Sequence, residues 1–264
     1  FLMKLLNTYL KNELPVYLEN NVRFEPIGDL SAFSKQLQET INMVVDKTNQ
    51  LAYVTTHLAE LMKFDLQSKT KLTSVKLFDK PIYAYTASKI SQDGHYIVNA
   101  LNDDKIRVFD TKENKFIFTS KKFSAKIMAF EMSPSEPIVY FTLHTGEVVF
   151  YDYLKQKKIF DFKDDSFIAN CIASYPSGDA LLIANYNTIR FFDSKSKKEF
   201  KRLEPKVSKI LNMAYDQNGK YLAVASDKVN IQIWDLRLNK IVKTIQGFFP
   251  CEFSPNGQEL VSMS

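Results

Sequence analysis

The second part of the chain is patterned with alternating apolar and polar positions. The stretch Tyr221–Lys240, YLAVASDKVNIQIWDLRLNK, contains two apolar runs that a short polar turn separates. In the second run Ile231 and Ile233 alternate with the polar Gln232, which is the period of two that a β-strand requires. The pattern therefore predicts a β-hairpin rather than a helix.

An aromatic residue followed by aspartate ends this hairpin and occurs upstream at a nearly fixed spacing. The aspartates are 42, 41 and 42 residues apart, and the pairs are Phe109-Asp110, Tyr151-Asp152, Phe192-Asp193 and Trp234-Asp235. Turn signals such as Asp93-Gly94 and Asn218-Gly219 precede the pairs by about 16 residues. Because one small sheet cannot bury both faces without a neighbour, such a period with four short strands per unit is typical of a β-propeller blade.

With these pairs the sequence resembles the WD40-repeat family, in which a Trp-Asp dipeptide ends the third strand of each blade. The resemblance covers roughly residues 83–264, although only Trp234 is a tryptophan. It implies a mainly β fold, with seven blades in the full protein and structural roles for the eight marker residues. Four complete units and a partial fifth are visible: 83–120, 126–162, 168–203, 209–246 and the stretch from Pro250 onward.

A different pattern precedes the repeats, and it predicts a helical segment over residues 1–68. A short helix is expected within 1–22, and a long helix over 30–66, where neither glycine nor proline interrupts the sequence. Apolar residues recur there with the 4-3 spacing of a coiled coil. The predicted helix interface consists of Leu30, Leu37, Ile41, Val44, Leu51, Leu58 and Met62. A coiled coil with a partner and a helix packed on its own chain both fit this spacing.

The propeller is then predicted to occupy residues 69–264. A lone strand over Leu72–Phe78 would complete the last blade and close the ring, as the resemblance implies. The chain begins with Phe1 and stops in what should be the second strand of the fifth blade, so we expect it to be part of a longer protein.

Composition favours a folded protein of a reducing compartment. The chain has 264 residues, of which 45% are hydrophobic and 13% aromatic, which excludes a disordered chain. Cys171 and Cys251 fall in first strands of two blades, where buried free thiols are expected. The run at the N-terminus is too short to span a membrane. A cytoplasmic or nuclear location without membrane insertion is therefore predicted.

The sequence shows no pattern of catalytic residues. It contains no glycine-rich phosphate loop, and His57, His95 and His144 lie far apart and outside metal-ligand spacings. The adjacent acids Asp103-Asp104 and Asp164-Asp165 are interpreted as solvated turn residues. We therefore predict no enzymatic activity, no catalytic, cofactor-binding or metal residues, no cofactor and no small-molecule substrate.

Charge separates the two parts of the chain. The formal net charge is +5, with −2 on residues 1–68 and +7 on residues 69–264. Repeat geometry places many lysines on one rim of the propeller, which could meet RNA or an acidic protein or simply solubilise the fold. This possible basic rim consists of Lys155, Lys157, Lys158, Lys195, Lys197, Lys198, Arg237 and Lys240.

The opposite rim would carry the loops between blades, with Phe123, Phe167, Phe248 and Phe249 as candidate peptide anchors. Together these features predict a non-enzymatic protein-interaction scaffold. Its rims would bind partner proteins, and its N-terminal helix would mediate self-association or anchoring in a multi-subunit complex. The alternative is an RNA-associated subunit of a ribonucleoprotein particle that uses the basic rim.

Overall fold

The computed structural model describes residues 40–46, 48–56, 58–76, 87–165, 167–228, 230–254 and 259–263. All regular elements in this part of the chain are β-strands, and no membrane-spanning helix occurs among these residues. The described chain divides into two compact units, one up to Ser88 and one from Lys89 onward.

The strands form five four-stranded sheets and one two-stranded sheet, all antiparallel and in sequence order. Sheet A contains β1 (Thr40–Asp46), β2 (Leu51–Thr56), β3 (Glu60–Asp65) and β4 (Thr70–Lys76). Sheet B contains β5 (Ala87–Ile90), β6 (Tyr96–Ala100), β7 (Ile106–Asp110) and β8 (Lys115–Thr119). Sheet C contains β9 (Ile127–Met132), β10 (Ile138–Leu143), β11 (Glu147–Asp152) and β12 (Lys157–Lys163). Sheet D contains β13 (Cys171–Ser174), β14 (Ala180–Ala184), β15 (Ile189–Asp193) and β16 (Glu199–Leu203). Sheet E contains β17 (Ile210–Tyr215), β18 (Tyr221–Ser226), β19 (Ile231–Asp235) and β20 (Lys240–Ile245), and sheet F contains β21 (Phe248–Phe253) and β22 (Leu260–Met263).

The central strands of the second unit are buried on both faces, as sheet D illustrates. On β14, Leu181 and Ile183 join a core cluster with side chains of sheet C, whereas Leu182 and Ala184 join a cluster with side chains of sheet E. This assignment follows from the alternation of side chains along a strand. Sheet D is therefore stabilised by apolar contacts with the sheets before and after it.

First strands of successive sheets contact one another in the second unit, in the order β9, β13, β17 and β21. Side chains link them at about the repeat distance in sequence. The Ser174 hydroxyl donates to the carbonyl of Met132 at 3.1 Å, and the backbone N–H of Cys251 donates to Asn212 Oδ1 at 2.9 Å. The fourth strands β8, β12 and β20 expose most of their residues.

The predicted long helix is wrong where the structure describes it. Of the predicted helix interface, Ile41 and Val44 lie on β1, Leu51 on β2 and Met62 on β3, while Leu58 lies in the intervening turn. Leu30 and Leu37, like the predicted short helix within 1–22, lie outside the described residues. The turns of sheet A use Gln50, Ala59 and Lys69 at positive φ, so the absence of glycine did not indicate a continuous helix.

The prediction of a lone strand over Leu72–Phe78 that closes the ring is also wrong. Residues 70–76 form β4, the fourth strand of sheet A, and pair with β3 of that same sheet. The predicted boundary between residues 68 and 69 falls in the turn between these two strands. Sheet A ends its third strand with Phe64-Asp65, a fifth aromatic–aspartate pair that the sequence analysis missed.

Candidate interaction surface

The four aspartates of the repeat markers occupy the same place in their sheets, as the last residue of the third strand. In each turn that follows, Oδ1 of the aspartate accepts hydrogen bonds from two backbone N–H groups. The donors are Lys112 and Glu113 for Asp110, Leu154 and Lys155 for Asp152, Lys195 and Ser196 for Asp193, and Arg237 and Leu238 for Asp235. This bonding closes the turn locally.

The residue four positions after each aspartate has a positive φ, which reverses the chain into the fourth strand. These residues are Asn114, Gln156, Lys197 and Asn239. The preceding aromatic residues Phe109, Tyr151, Phe192 and Trp234 are buried. The eight marker residues therefore build the sheets and are not arranged as a binding site.

The turns after Asp110, Asp193 and Asp235 favour the ionised form of the carboxylate. The hydrogen bond from the backbone of Ser196 lowers the pKa of Asp193, and that from the backbone of Leu238 lowers the pKa of Asp235. At Asp110 burial acts to raise the pKa, but the backbone donors Glu113 and Lys112 and the neighbouring His95 outweigh it and lower the pKa.

The eight residues of the possible basic rim lie in or beside the turns between third and fourth strands of sheets C, D and E. Several of them contact nearby groups. Lys155 Nζ lies 3.2 Å from Asp152 Oδ2, Lys158 Nζ lies 3.0 Å from Asp161 Oδ1, and Lys197 Nζ lies 4.7 Å from the centre of the Phe150 ring. Burial lowers the pKa of Lys197. Part of this basic charge is therefore compensated within the fold.

The opposite end of sheets D and F carries exposed apolar side chains. We call this end the loop end and define it as Ile168 and Tyr186, in loops of sheet D, and Phe249, on β21. They are 40%, 62% and 43% exposed. The backbone carbonyl of Tyr186 accepts from the N–H of Ile210 at 2.6 Å, and Lys209 Nζ lies 5.9 Å from the centre of its ring. These contacts hold the Tyr186 turn against the start of sheet E.

Of the predicted anchors at this end, only Phe249 has a described, exposed side chain. Phe123 packs against Phe141 with ring centres 4.6 Å apart, and Phe167 is buried beneath the guanidinium of Arg190, 4.8 Å from its ring centre. The side chain of Phe248 lies outside the described residues. Tyr186 was not predicted because it lies in the turn between β14 and β15 and not in a loop between two sheets.

The sequence predicted that the adjacent acids Asp103-Asp104 and Asp164-Asp165 are solvated turn residues. The structure shows instead that Asp103 and Asp164 pair with arginines. Asp103 accepts two hydrogen bonds from the Arg107 guanidinium, at 3.0 and 2.6 Å. Arg190 donates to Asp164 Oδ2 at 2.8 Å and to Glu199 Oε2 at 2.7 Å. The arginines that pair with these carboxylates were not identified from the sequence, since they lie on strands.

Other reactive groups are buried or scattered. Cys171 and Cys251 are both buried free thiols, and burial raises the pKa of each to about 12. Among the described residues, no group of three or more His, Cys, Asp or Glu side chains is arranged to hold a metal ion.

Comparisons with known proteins give two kinds of similarity, and no family model matches the chain. The chain is 28% identical to the WD repeat-containing protein AAC3 of Dictyostelium discoideum over 164 residues, which is 59% of this chain and 34% of that protein. This similarity and the repeated four-stranded sheets fit a propeller-like arrangement.

The second similarity is to enzymes. The chain is 49% identical over 59 residues to an isoprenyl transferase of Wolinella succinogenes, covering 22% of this chain and 26% of that enzyme. It is 36% identical over 100 residues to an isoprenyl transferase of Helicobacter hepaticus, covering 38% of this chain and 41% of that enzyme. These matches contradict the prediction that the chain is not an enzyme. The chain spans about a quarter of the length of the isoprenyl transferases that it matches at 49% identity.

Proposed function

We propose that the repeated sheets form a WD40-like β-propeller and that this propeller is a protein-interaction scaffold within a larger complex. The observation that carries the proposal is the loop end, where Ile168 and Tyr186 are exposed on loops of sheet D and Phe249 is exposed near the start of β21. Loops held by a rigid scaffold are common places for binding residues.

The loop end has the composition of an interaction hot spot. Tyr186 is a large aromatic side chain with a polar tip, and tyrosine is enriched among residues that dominate binding energy. The backbone hydrogen bond from Ile210 fixes its turn, which reduces the ordering cost of binding. Ile168 adds apolar area beside the same sheet D, and Phe249 adds apolar area at the corresponding end of sheet F.

A peptide-display selection tests this proposal even though the natural partner is not identified. Peptides are selected on the wild-type chain and counter-selected on Tyr186→Ala. Leu154→Ala is the matched control, because Leu154 is also exposed but lies in a turn at the other end of sheet C.

We expect a family of related peptides that bind the wild type and Leu154→Ala equally and bind Tyr186→Ala at least about tenfold more weakly. A selection that yields no peptides sensitive to Tyr186 would reject the loop end as the binding surface.

A second candidate function is isoprenyl transfer, and the 49% identity to isoprenyl transferases favours it. The matched segment has 59 residues, which is 22% of this chain, and the first described strand begins at Thr40.

Incubation of the chain with a labelled isoprenyl donor and acceptor, followed by extraction of labelled product, tests this second function. Product formed equally by wild type and Tyr186→Ala would support an enzyme segment separate from the loop end. Absence of product at high protein concentration would reject the candidate for this chain.

A further inference from the structure

Every four-stranded sheet has the same irregularity in its fourth strand. The register between third and fourth strands shifts by one residue, and the residue left without a partner is apolar and exposed. These residues are Leu72, Ile117, Ile159, Phe200 and Val242. Such a bulge disturbs the edge of a sheet and discourages pairing with a strand of another molecule. Because the bulged residue has no cross-strand partner and is exposed, its apolar side chain is free to contact the side chain of another molecule.

Phe200 of sheet D differs from the others in chemistry and exposure. It is 60% exposed, whereas the remaining four are between 39% and 47% exposed. Its ring lies 6.1 Å from that of the buried Phe191, which belongs to the core between sheets D and E. Phe200 therefore lies at the outer side of the crevice between these two sheets.

Sheet E contributes one more exposed apolar side chain to the same crevice and carries a second in the adjoining turn. Ile241 is directly opposite Trp234 in the register, and opposite residues share one face of a sheet. Because Trp234 belongs to the core between sheets D and E, Ile241 faces that side as well. Leu238, which is 61% exposed, lies in the turn that precedes β20. We call Phe200, Leu238 and Ile241 the D–E mouth.

Lys201 connects the two sides of this mouth. Its Nζ donates to the backbone carbonyl of Leu236 at 3.0 Å and lies 5.2 Å from the centre of the Phe191 ring. Burial lowers the pKa of Lys201. The side chain therefore holds the turn of sheet E against the outer strand of sheet D, so that the apolar residues are positioned before any partner binds.

The charge around the mouth is predominantly basic. Residues 193–203 and 235–245 contain eight Lys or Arg and three carboxylates, Asp193, Glu199 and Asp235, whereas the whole chain contains 35 basic and 30 acidic residues. Asp193 and Asp235 accept hydrogen bonds from the backbone of their own turns. Glu199 is itself engaged by Arg190 and Arg202. Complementary potential across an interface favours partners of opposite charge, here acidic ones.

We propose that the D–E mouth is a docking site for an acidic peptide segment that carries a bulky apolar residue. The apolar residue contacts Phe200, Leu238 and Ile241, and the carboxylates of the segment lie beside the surrounding basic side chains. The proposal rests on the proposed protein-binding function but uses a different surface from the loop end.

The test uses fluorescence anisotropy with a labelled, glutamate-rich peptide of twelve residues that contains one phenylalanine. A peptide with serine in place of phenylalanine and a single-stranded RNA of equal charge are the comparison probes. The protein variants are Phe200→Ser, the charge reversal Arg237→Glu, and Ile159→Ser as matched control, since Ile159 is the bulged residue of sheet C.

We expect Phe200→Ser and Arg237→Glu each to weaken binding of the phenylalanine peptide by about tenfold or more, and Ile159→Ser to leave it unchanged. The serine peptide should bind about tenfold more weakly than the phenylalanine peptide. Rising salt should weaken both.

Three results would overturn the proposal: no binding of the phenylalanine peptide, equal binding of the two peptides, or RNA binding that is tighter and insensitive to Phe200→Ser. The last would indicate a nucleic-acid surface instead. If the glutamate-rich phenylalanine peptide did not bind at the D–E mouth but selected peptides still bound at the loop end in a Tyr186-dependent way, the docking site would be rejected. The proposed protein-binding function would then still stand.

Discussion

Thr142 offers a sharp test of how buried hydrogen bonds hold neighbouring sheets together. It lies on β10, is 1% exposed, and its Oγ1 accepts from the N–H of Ala129 at 3.1 Å. The same hydroxyl donates to the carbonyl of Ala169 at 2.9 Å. Ala169 follows Ile168, so this single hydroxyl ties sheet C to the loop that carries part of the loop end.

Replacing Thr142 by valine keeps the shape of the side chain and removes both hydrogen bonds. A buried donor or acceptor left unsatisfied costs about 1–3 kcal/mol, so the loss of both bonds is expected to lower the free energy of unfolding by about 2–4 kcal/mol. Thr142→Ser keeps the hydroxyl and removes one methyl group, which costs about 1 kcal/mol.

Urea unfolding followed through the fluorescence of Trp234, the single tryptophan, measures the difference. Far-UV circular dichroism on the same samples checks that the transition is two-state. If Thr142→Val proved as stable as Thr142→Ser, the hydroxyl would not be an essential link between the sheets, and the reasoning would be refuted.

Three further predictions follow from the turns and the buried thiols. Gly219 has a φ of +67°, and a Cβ at this position would collide with the Tyr175 ring. Gly219→Ala should therefore lower the free energy of unfolding by about 2–4 kcal/mol. If urea unfolding showed no difference between Gly219→Ala and the wild type, the close packing of Gly219 on Tyr175 would be contradicted. Cys171 and Cys251 should not react with a thiol reagent near pH 8 in the native state and should both react in denaturant; fast native labelling would contradict their burial. The pKa of Asp235 is lowered in the folded state from its ordinary 3.8, so its stabilising effect is present above that value and is lost as the pH falls below it. The urea midpoint should therefore fall less between about pH 6 and 3 in Asp235→Asn than in the wild type, and equal falls would contradict this contribution.

The repeat was readable from the sequence because it depends on local chemistry. An aspartate that accepts from the backbone N–H groups two and three residues further along needs only residues beside it in the chain. The pair Trp234-Asp235 therefore marks its turn without reference to the rest of the fold. The continuous run of apolar residues along β14 similarly follows from burial on both faces.

Sheet A was misread because two local signals conflicted. The seven-residue spacing of leucines and the absence of glycine favoured a helix, while Phe64-Asp65 carried the strand-end signal that identified the later sheets. The turns of this sheet place Gln50 and Ala59 at positive φ, which is uncommon for residues with a Cβ, so the usual glycine that marks a turn was missing.

The interaction surfaces were harder to predict because they depend on contacts between sheets. Tyr186 is exposed in a turn whose position depends on its hydrogen bond with Ile210 of the next sheet. Phe167 was expected to be an exposed anchor, but Arg190 of the same sheet covers its ring. Both contacts join residues more than twenty positions apart in the chain. No local sequence pattern predicts them.

The bulged fourth strands separate what the fold determines from what a binding role would add. The shift in register recurs at the same place in five sheets, so the fold determines where an exposed side chain lies, independently of any ligand. The identity of that side chain is not determined by the fold, and it ranges from Val242 to Phe200. Since a shared position has a shared structural cause, a binding role is best sought in the sheet that departs from the others. By this criterion Phe200, which is aromatic, is the most exposed residue of the series and has basic neighbours, is the position at which we propose that a partner is recognised.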